Sequence, residues 1–102
     1  MSFRCFWDVD KERANRRKHG LGFDTAQLVF DDPYGISEPD RVENGELRWQ
    51  TIGMVEGVTV VLVAHADAPE GIDGDEIRII SARRATSHER KRYEQEKLRA
   101  FR

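Results

Sequence analysis

Three arginines, a histidine and a tyrosine are the residues of this chain that could perform chemistry together. They lie in or near predicted strands and in the last helix: Arg48, His65, Arg78, Arg83 and Tyr93. Arginine holds two phosphate oxygens at once and stays charged at physiological pH, and histidine, with an unperturbed pKa of about 6.5, transfers protons. The set predicts RNA cleavage, in which a base deprotonates the neighbouring 2′-hydroxyl, cations stabilise the phosphorane and an acid protonates the leaving 5′-oxygen.

Each of these residues also has a purely structural interpretation. His65 lies at the end of the most buried strand, and a structural histidine with hydrogen-bonded ring nitrogens explains it about as well as a catalytic one. Arg78 either reaches a ligand or pairs with an acid such as Glu89, and its cation-rich surroundings favour the ligand. Tyr93 could position the substrate, or it could anchor its helix to the core.

A second set of basic residues is predicted to contact the RNA backbone. Arg83 and Arg84 are neighbours in a strand and point to opposite faces, so at most one of them faces the cleavage site. The predicted backbone contacts come from the first helix, the strand end and the last helix: Arg16, Arg17, Lys18, Arg84 and Arg90. A solvated basic face is the alternative for the helix residues.

Metal and covalent chemistry are not supported by the residue spacing. His19, His65 and His88 are scattered and Cys5 is isolated, so no pair has the spacing of a zinc site. The sequence also contains no nucleophile elbow of the G-x-S-x-G type. We therefore expect no metal and no cofactor. The single cysteine excludes an internal disulfide and fits a reducing compartment, which predicts the cytoplasm.

The length of the chain and the distribution of its charges limit its fold and its partners. The chain has 102 residues, of which 38% are hydrophobic and 35% charged, which predicts one small domain over residues 1–102. The net charge is +2 in residues 1–30, −10 in residues 31–76 and +6 in residues 77–102. Basic ends can present a cationic surface to a polyanion. The longest apolar run, Val58 to Ala64, is far shorter than the roughly 20 residues of a membrane span, so no membrane partner is expected.

The first half of the chain predicts one strand and two helices. Aromatic residues alternate from Phe3 to Trp7 as in a strand. Lys11–His19 predicts a basic helix that Asp8 or Asp10 can cap and that Gly20 terminates. Phe23, Ala26 and Phe30 would share one face of a second short helix, which ends at the sequence Asp31-Asp32-Pro33.

The second half predicts a loop, an antiparallel sheet and a final helix. The loop runs to Arg41 and beyond. The predicted strands are Leu47–Met54, Val58–His65 and Ile77–Ala82. Gly57 suits the turn of a hairpin between the first two strands, and residues 67–75 form a loop rich in Gly, Pro and Asp. Thr86 and Glu89 have capping-box spacing at the start of the last helix. The order strand, helix, helix, antiparallel strands, helix is that of an α+β domain.

Several short motifs occur in a fixed order along most of the chain. They are Trp7-Asp8, Lys18-His19-Gly20, Val29-Phe30-Asp31-Asp32-Pro33, Thr51-Ile52-Gly53 and Ile77-Arg78-Ile79-Ile80-Ser81-Ala82-Arg83. In this order and spacing the chain resembles the BrnT family of bacterial type II toxins, small ribonucleases of the RelE-like superfamily. The resemblance implies a small RelE-like domain.

The resemblance also implies a function and partners. A toxin of this kind cuts RNA and halts translation, and a co-expressed BrnA-like antitoxin with a ribbon-helix-helix portion keeps it silent. The complex would bind operator DNA through the antitoxin. In this family role Arg48, Arg78 and Arg83 would stabilise the scissile phosphate without a metal, His65 would be the acid or base, and Tyr93 would help position the substrate. The alternative is a non-catalytic nucleic-acid-binding module, or a degenerate toxin that acts as co-repressor with its partner.

Overall fold

One mixed β-sheet with helices on both faces organises the chain. The computed structural model describes residues 4–67 and 76–101, and the elements below belong to that part. The strands are β1 Arg4–Phe6, β2 Ile36–Glu43, β3 Glu46–Val55, β4 Thr59–Asp67 and β5 Glu76–Arg84. The helices are α1 Val9–His19, α2 Phe23–Ala26, a 3₁₀ helix Gln27–Asp31 that continues α2, and α3 Ser87–Arg99.

The strands lie in the order β1-β5-β4-β3-β2. The three predicted strands, β3 to β5, are antiparallel neighbours, as expected, and β2 pairs antiparallel with β3. By contrast, β1 pairs with β5 in the parallel direction, with Cys5 opposite Ile77. The α+β class is confirmed. Of the predicted loop at residues 67–75, Asp67 is the last residue of β4, and residues 68–75 lie outside the described part of the chain.

The prediction of a loop as far as Arg41 is wrong, because Ile36–Glu43 forms the edge strand β2. Asn44 and Gly45, both with positive φ, then turn the chain into β3. Pro39 makes this strand hard to recognise from the sequence, because proline has no N–H to donate to a neighbouring strand. At a sheet edge that loss is tolerated, and here it coincides with a register shift between Pro39 and Arg41.

The predicted helix signals are confirmed at both ends of α1 and at the start of α3. The Asp8 carboxylate accepts hydrogen bonds from the first backbone N–H groups of α1, and Gly20 ends the helix in the left-handed conformation with φ of 70°. Thr86 and Glu89 form the expected capping box. The side-chain amide of Asn15 in α1 donates to the backbone carbonyl of Ala82 in β5 at 2.8 Å and accepts the backbone N–H of Ala82 at 3.2 Å. Because β1 has ended at this point, Asn15 supplies the hydrogen bonds that a neighbouring strand would otherwise make.

Apolar side chains pack on both faces of β4, as its continuous apolar run predicts. Val61 and Val63 point to the side covered by Phe23 of α2 and by the 3₁₀ helix, which we call the α2 face. Leu62 points to the opposite side, where Tyr93 of α3 packs, which we call the α3 face. Alternate residues of each strand therefore point to two different environments.

Candidate active site

The five predicted catalytic residues divide between the two faces of the sheet. His65 of β4 stands opposite Trp49 of β3 and Ile79 of β5, so it points to the α2 face. Arg48 and Arg78 are direct neighbours of those two residues in sequence, and their side chains therefore point to the α3 face. The structure brings Arg48 and Arg78 toward one another and separates His65 from them by the thickness of the sheet.

A row of arginines crosses the α3 face near the end of β4. Arg41 is the register partner of Arg48, and Ala66 is the partner of Arg78. Continuing the β3–β4 register by one residue places Ala66, which is fully buried, between Arg48 and Arg78. Glu46 lies between the two guanidinium groups: it accepts two hydrogen bonds from Arg78, at 2.5 and 3.1 Å, and its carboxylate lies 3.1 Å from Nε of Arg48. We call Arg48 and Arg78 with this shared carboxylate the arginine pair.

Glu46 is a functional candidate that the sequence analysis missed. The hydrogen bonds from Arg78 hold the pKa of its carboxyl below the usual value, with a further contribution from the charge of Arg48. A signal for it exists in the sequence, because Glu46 lies two residues before Arg48 and must share its face if both are in one strand. Arginine holds carboxylate and phosphate groups in the same forked geometry.

Arg83 lies on the same face but belongs to a separate ion pair. Its guanidinium donates to both carboxylate oxygens of Glu89, at 2.7 and 3.0 Å. The hydrogen bonds from Arg83 lower the pKa of Glu89 to about 2. Because Glu89 also closes the capping box, this pair fixes the start of α3 against β5.

Tyr93 is held inside the protein. It is only 1% exposed, and its hydroxyl donates to Asp32, whose carboxylate also accepts the backbone N–H groups of Tyr34 and Met54. Burial, followed by the bond to Asp32, raises the pKa of Tyr93. In this position Tyr93 anchors α3 to the sheet.

His65 is buried on the α2 face and takes part in a hydroxyl chain. It is 4% exposed, and its Nε2 lies 2.8 Å from the Thr51 hydroxyl, which lies 2.7 Å from that of Ser37. The ring packs edge-on to Phe30 with 4.9 Å between centroids. Nδ1 is buried and has no hydrogen-bond partner among the described residues. Burial lowers the pKa of His65 to about 4, against a smaller opposing effect of Asp67.

This burial predicts a loss of stability in mild acid. The unfolded chain takes up a proton near pH 6.5 and the folded chain only near pH 4, so stability is full above pH 6.5 and falls as the pH drops toward 4. The expected loss is on the order of 3 kcal/mol. Urea unfolding between pH 7 and 4 should show a shallower decline for His65→Gln, which keeps a polar partner for Thr51. Equal declines in the two proteins would contradict the assignment.

The predicted RNA-backbone residues occupy two places. Arg16, Arg17 and Lys18 lie in the last turn of α1, and Arg84 joins them by donating to the backbone carbonyl of His19 at 3.4 Å. Arg90 is exposed on α3. Arg16 is within 3.4 Å of Glu12, and the α1 group forms a basic corner of the molecule.

Within residues 4–67 and 76–101, no group of three or more His, Cys, Asp or Glu side chains is arranged to hold a metal ion. In the same ranges, none of the helices combines the length and the apolar character required to cross a bilayer.

Comparisons with known proteins agree with this fold. Residues 7–89 match a family model described as the ribonuclease toxin BrnT of type II toxin–antitoxin systems. Among solved structures, the crystal structure of the Brucella abortus ribonuclease toxin BrnT matches with a TM-score of 0.58 and 23% sequence identity, covering 83% of this chain and 99% of that chain. At this identity the match shows a shared fold. A comparison with curated proteins finds no match.

Proposed function

This chain belongs to the BrnT family of ribonuclease toxins of type II toxin–antitoxin systems, and we propose that it is an endoribonuclease that cleaves RNA at the arginine pair without a metal ion. The observation that carries the proposal is the carboxylate of Glu46 held between Arg48 and Arg78. A phosphodiester has the same pair of charged oxygens, and arginine binds both kinds of group in the same forked geometry.

The arginine pair would act on the phosphate, and Glu46 on the 2′-hydroxyl. When an RNA phosphate takes over the donors of Arg78, Glu46 is released beside it and can accept the 2′-hydroxyl proton. The 2′-oxygen then bonds to phosphorus, the bond to the 5′-oxygen breaks, and that oxygen takes a proton from water. Arg48 and Arg78 stabilise the charge of the five-coordinate intermediate.

The other predicted residues support this site from a distance. Arg83 and Tyr93 set the position of α3 beside the arginine pair through Glu89 and Asp32. The basic corner of α1, with Arg84, would bind the RNA backbone. His65 lies on the opposite face, so its predicted acid or base role is not part of this proposal.

Family membership implies an antitoxin partner. We propose that this partner resembles BrnA, with a ribbon-helix-helix portion through which the complex binds operator DNA. We also propose that the cleaved RNA is required for translation, so that the free protein arrests protein synthesis.

A non-catalytic nucleic-acid-binding module is the second candidate function. It is favoured by one observation: Arg48, Arg78 and Arg83 each have a carboxylate partner. If those ion pairs persist when RNA binds, the phosphate has no donor to stabilise it. Partly exposed ion pairs contribute little stability, however, so their exchange for phosphate contacts is energetically accessible.

Cleavage in the presence of EDTA separates the two candidates. The purified protein, freed of any partner, should cut single-stranded RNA in EDTA and leave a 2′-O-methyl RNA of the same sequence intact, because that RNA lacks the attacking hydroxyl. Gel analysis of end-labelled RNA measures both. Salt-dependent binding of the RNA without cleavage would support the binding module instead.

A further inference from the structure

A cavity of about 320 Å³ opens on the α2 face, on the other side of the sheet from the arginine pair. Its lining includes Phe30 of the 3₁₀ helix, Trp49 of β3, and His65 and Asp67 from the end of β4. The volume is within the range of small-ligand sites. Two aromatic side chains and several hydrogen-bonding groups therefore surround one space.

The polar groups of this cavity are rich in acceptors. The hydroxyl chain from Ser37 through Thr51 to His65 lines it, and Nδ1 of the buried His65 has no partner among the described residues. When the imidazole is neutral and Nε2 donates to Thr51, Nδ1 presents a lone pair. Nδ1 itself is fully buried, so a ligand in the cavity meets the hydroxyl groups of Ser37 and Thr51 and not this lone pair.

The charge of the cavity excludes a phosphate and favours a cation. Of the described residues that line it, two are aspartates and none is lysine or arginine. Asp32 is committed to Tyr34, Met54 and Tyr93, whereas Asp67 is exposed and forms no ion pair with any described residue. The free carboxylate of Asp67 thus stands beside Trp49, in the arrangement that binds a guanidinium group.

A second cavity extends this surface toward the β2–β3 turn. It has a volume of about 400 Å³ and shares Trp49 and Asp67 with the first. Leu47 lines it and stands opposite Val42 in the strand register, and these side chains are 43% and 68% exposed. An exposed apolar pair beside a carboxylate is typical of a surface that binds protein.

We propose that these two cavities bind the antitoxin, with an arginine side chain of the antitoxin in the first cavity and an adjoining apolar side chain on Val42 and Leu47. The guanidinium stacks on Trp49 and donates to Asp67. The proposal rests on the proposed function for the identity of the partner. Its physical basis is the charge at this end of the sheet, with the guanidinium groups of Arg48 and Arg78 on one face and, on the other, the carboxylate of Asp67, which has no ion-pair partner among the described residues.

The test uses N-acetyl-L-argininamide as the probe and N-acetyl-L-citrullinamide as its uncharged analogue of nearly equal shape. In ¹H–¹⁵N spectra of the free protein, the argininamide should shift the indole N–H signal of Trp49, and the citrullinamide should not. Asp67→Asn should weaken binding about tenfold or more. Asp10→Asn, which removes an exposed carboxylate from α1, should bind as the wild type does. Equal binding of both probes, or no shift with either, would overturn the proposal.

Further measurements identify the occupant and keep this proposal separate from the proposed function. In the complex with the antitoxin, the Trp49 signal should already be shifted and argininamide should have no further effect; continued binding would overturn the antitoxin as occupant. A nucleoside that shifts the signal when argininamide does not would assign the cavity to an RNA base. If the wild-type protein binds argininamide but cleaves no RNA, only the proposed function is contradicted. If it cleaves RNA but does not bind argininamide, only this inference is contradicted.

Discussion

We expect Arg78→Ala to lower the rate of RNA cleavage by about 10²–10³-fold, the usual loss when one donor to the transition state is removed. The fold should survive, because the side chain is 33% exposed and its only ion pair is with Glu46 among the described residues. Such a pair contributes at most about 1 kcal/mol. Single-turnover cleavage measures the first effect, and urea unfolding measures the second.

Arg92→Ala is the matched control for this prediction. Arg92 is also an arginine held by a carboxylate, since it donates to both oxygens of Glu38 at 2.8 and 2.6 Å, but it extends from α3 rather than from the sheet. Its removal should leave cleavage within about twofold of the wild type. Full activity of Arg78→Ala, or an equal loss in Arg92→Ala, would reject the arginine pair as the cleavage site.

Glu46→Gln separates catalysis from binding. Loss of the base should lower cleavage by about 10²–10⁴-fold. Affinity for RNA should rise instead of falling, because the carboxylate that competes with phosphate for Arg48 and Arg78 is gone. Binding is measured with the uncleavable 2′-O-methyl RNA at fixed salt, since the affinity depends on ionic strength.

The control for Glu46 is Glu76→Gln. Glu76 is a carboxylate of the same sheet, and its partner is Arg4, 3.0 Å away. We expect this variant to cleave RNA at the wild-type rate. Tighter binding with undiminished cleavage in Glu46→Gln would show that Glu46 only occupies the phosphate position, and the catalytic base would then lie elsewhere.

The elements that sequence analysis predicted correctly are those encoded by local signals. Asp8 and Gly20 at the ends of α1, and Thr86 with Glu89 at the start of α3, act through backbone groups a few residues away. The apolar run of β4 likewise indicates burial on both faces without reference to any neighbour. The strand that was missed, β2, contains Pro39, whose tolerance depends on the strand's place at the sheet edge.

The face of the sheet on which His65 lies depends on the number of residues in the turn between β3 and β4. Three residues, 56–58, connect β3 and β4, which places His65 opposite Trp49. A two-residue turn would place it opposite Arg48, on the same face as the arginines, because a shift of one residue reverses every side chain of a strand. The strands predicted from the sequence, Leu47–Met54 and Val58–His65, leave three residues between them, 55–57, and this connection likewise places His65 and Arg48 on opposite faces. The ion pair of Arg78 with Glu46 is also a contact between distant strands, which spacing alone does not reveal.

The ends of the RNA fragments made in EDTA test the central claim most directly. Attack by the 2′-hydroxyl at the arginine pair predicts fragments with a 2′,3′-cyclic phosphate and a free 5′-hydroxyl, formed at the same rate with and without EDTA. Fragments with 5′-phosphate ends, or cleavage that stops when EDTA is added, would contradict a metal-independent reaction at Arg48 and Arg78.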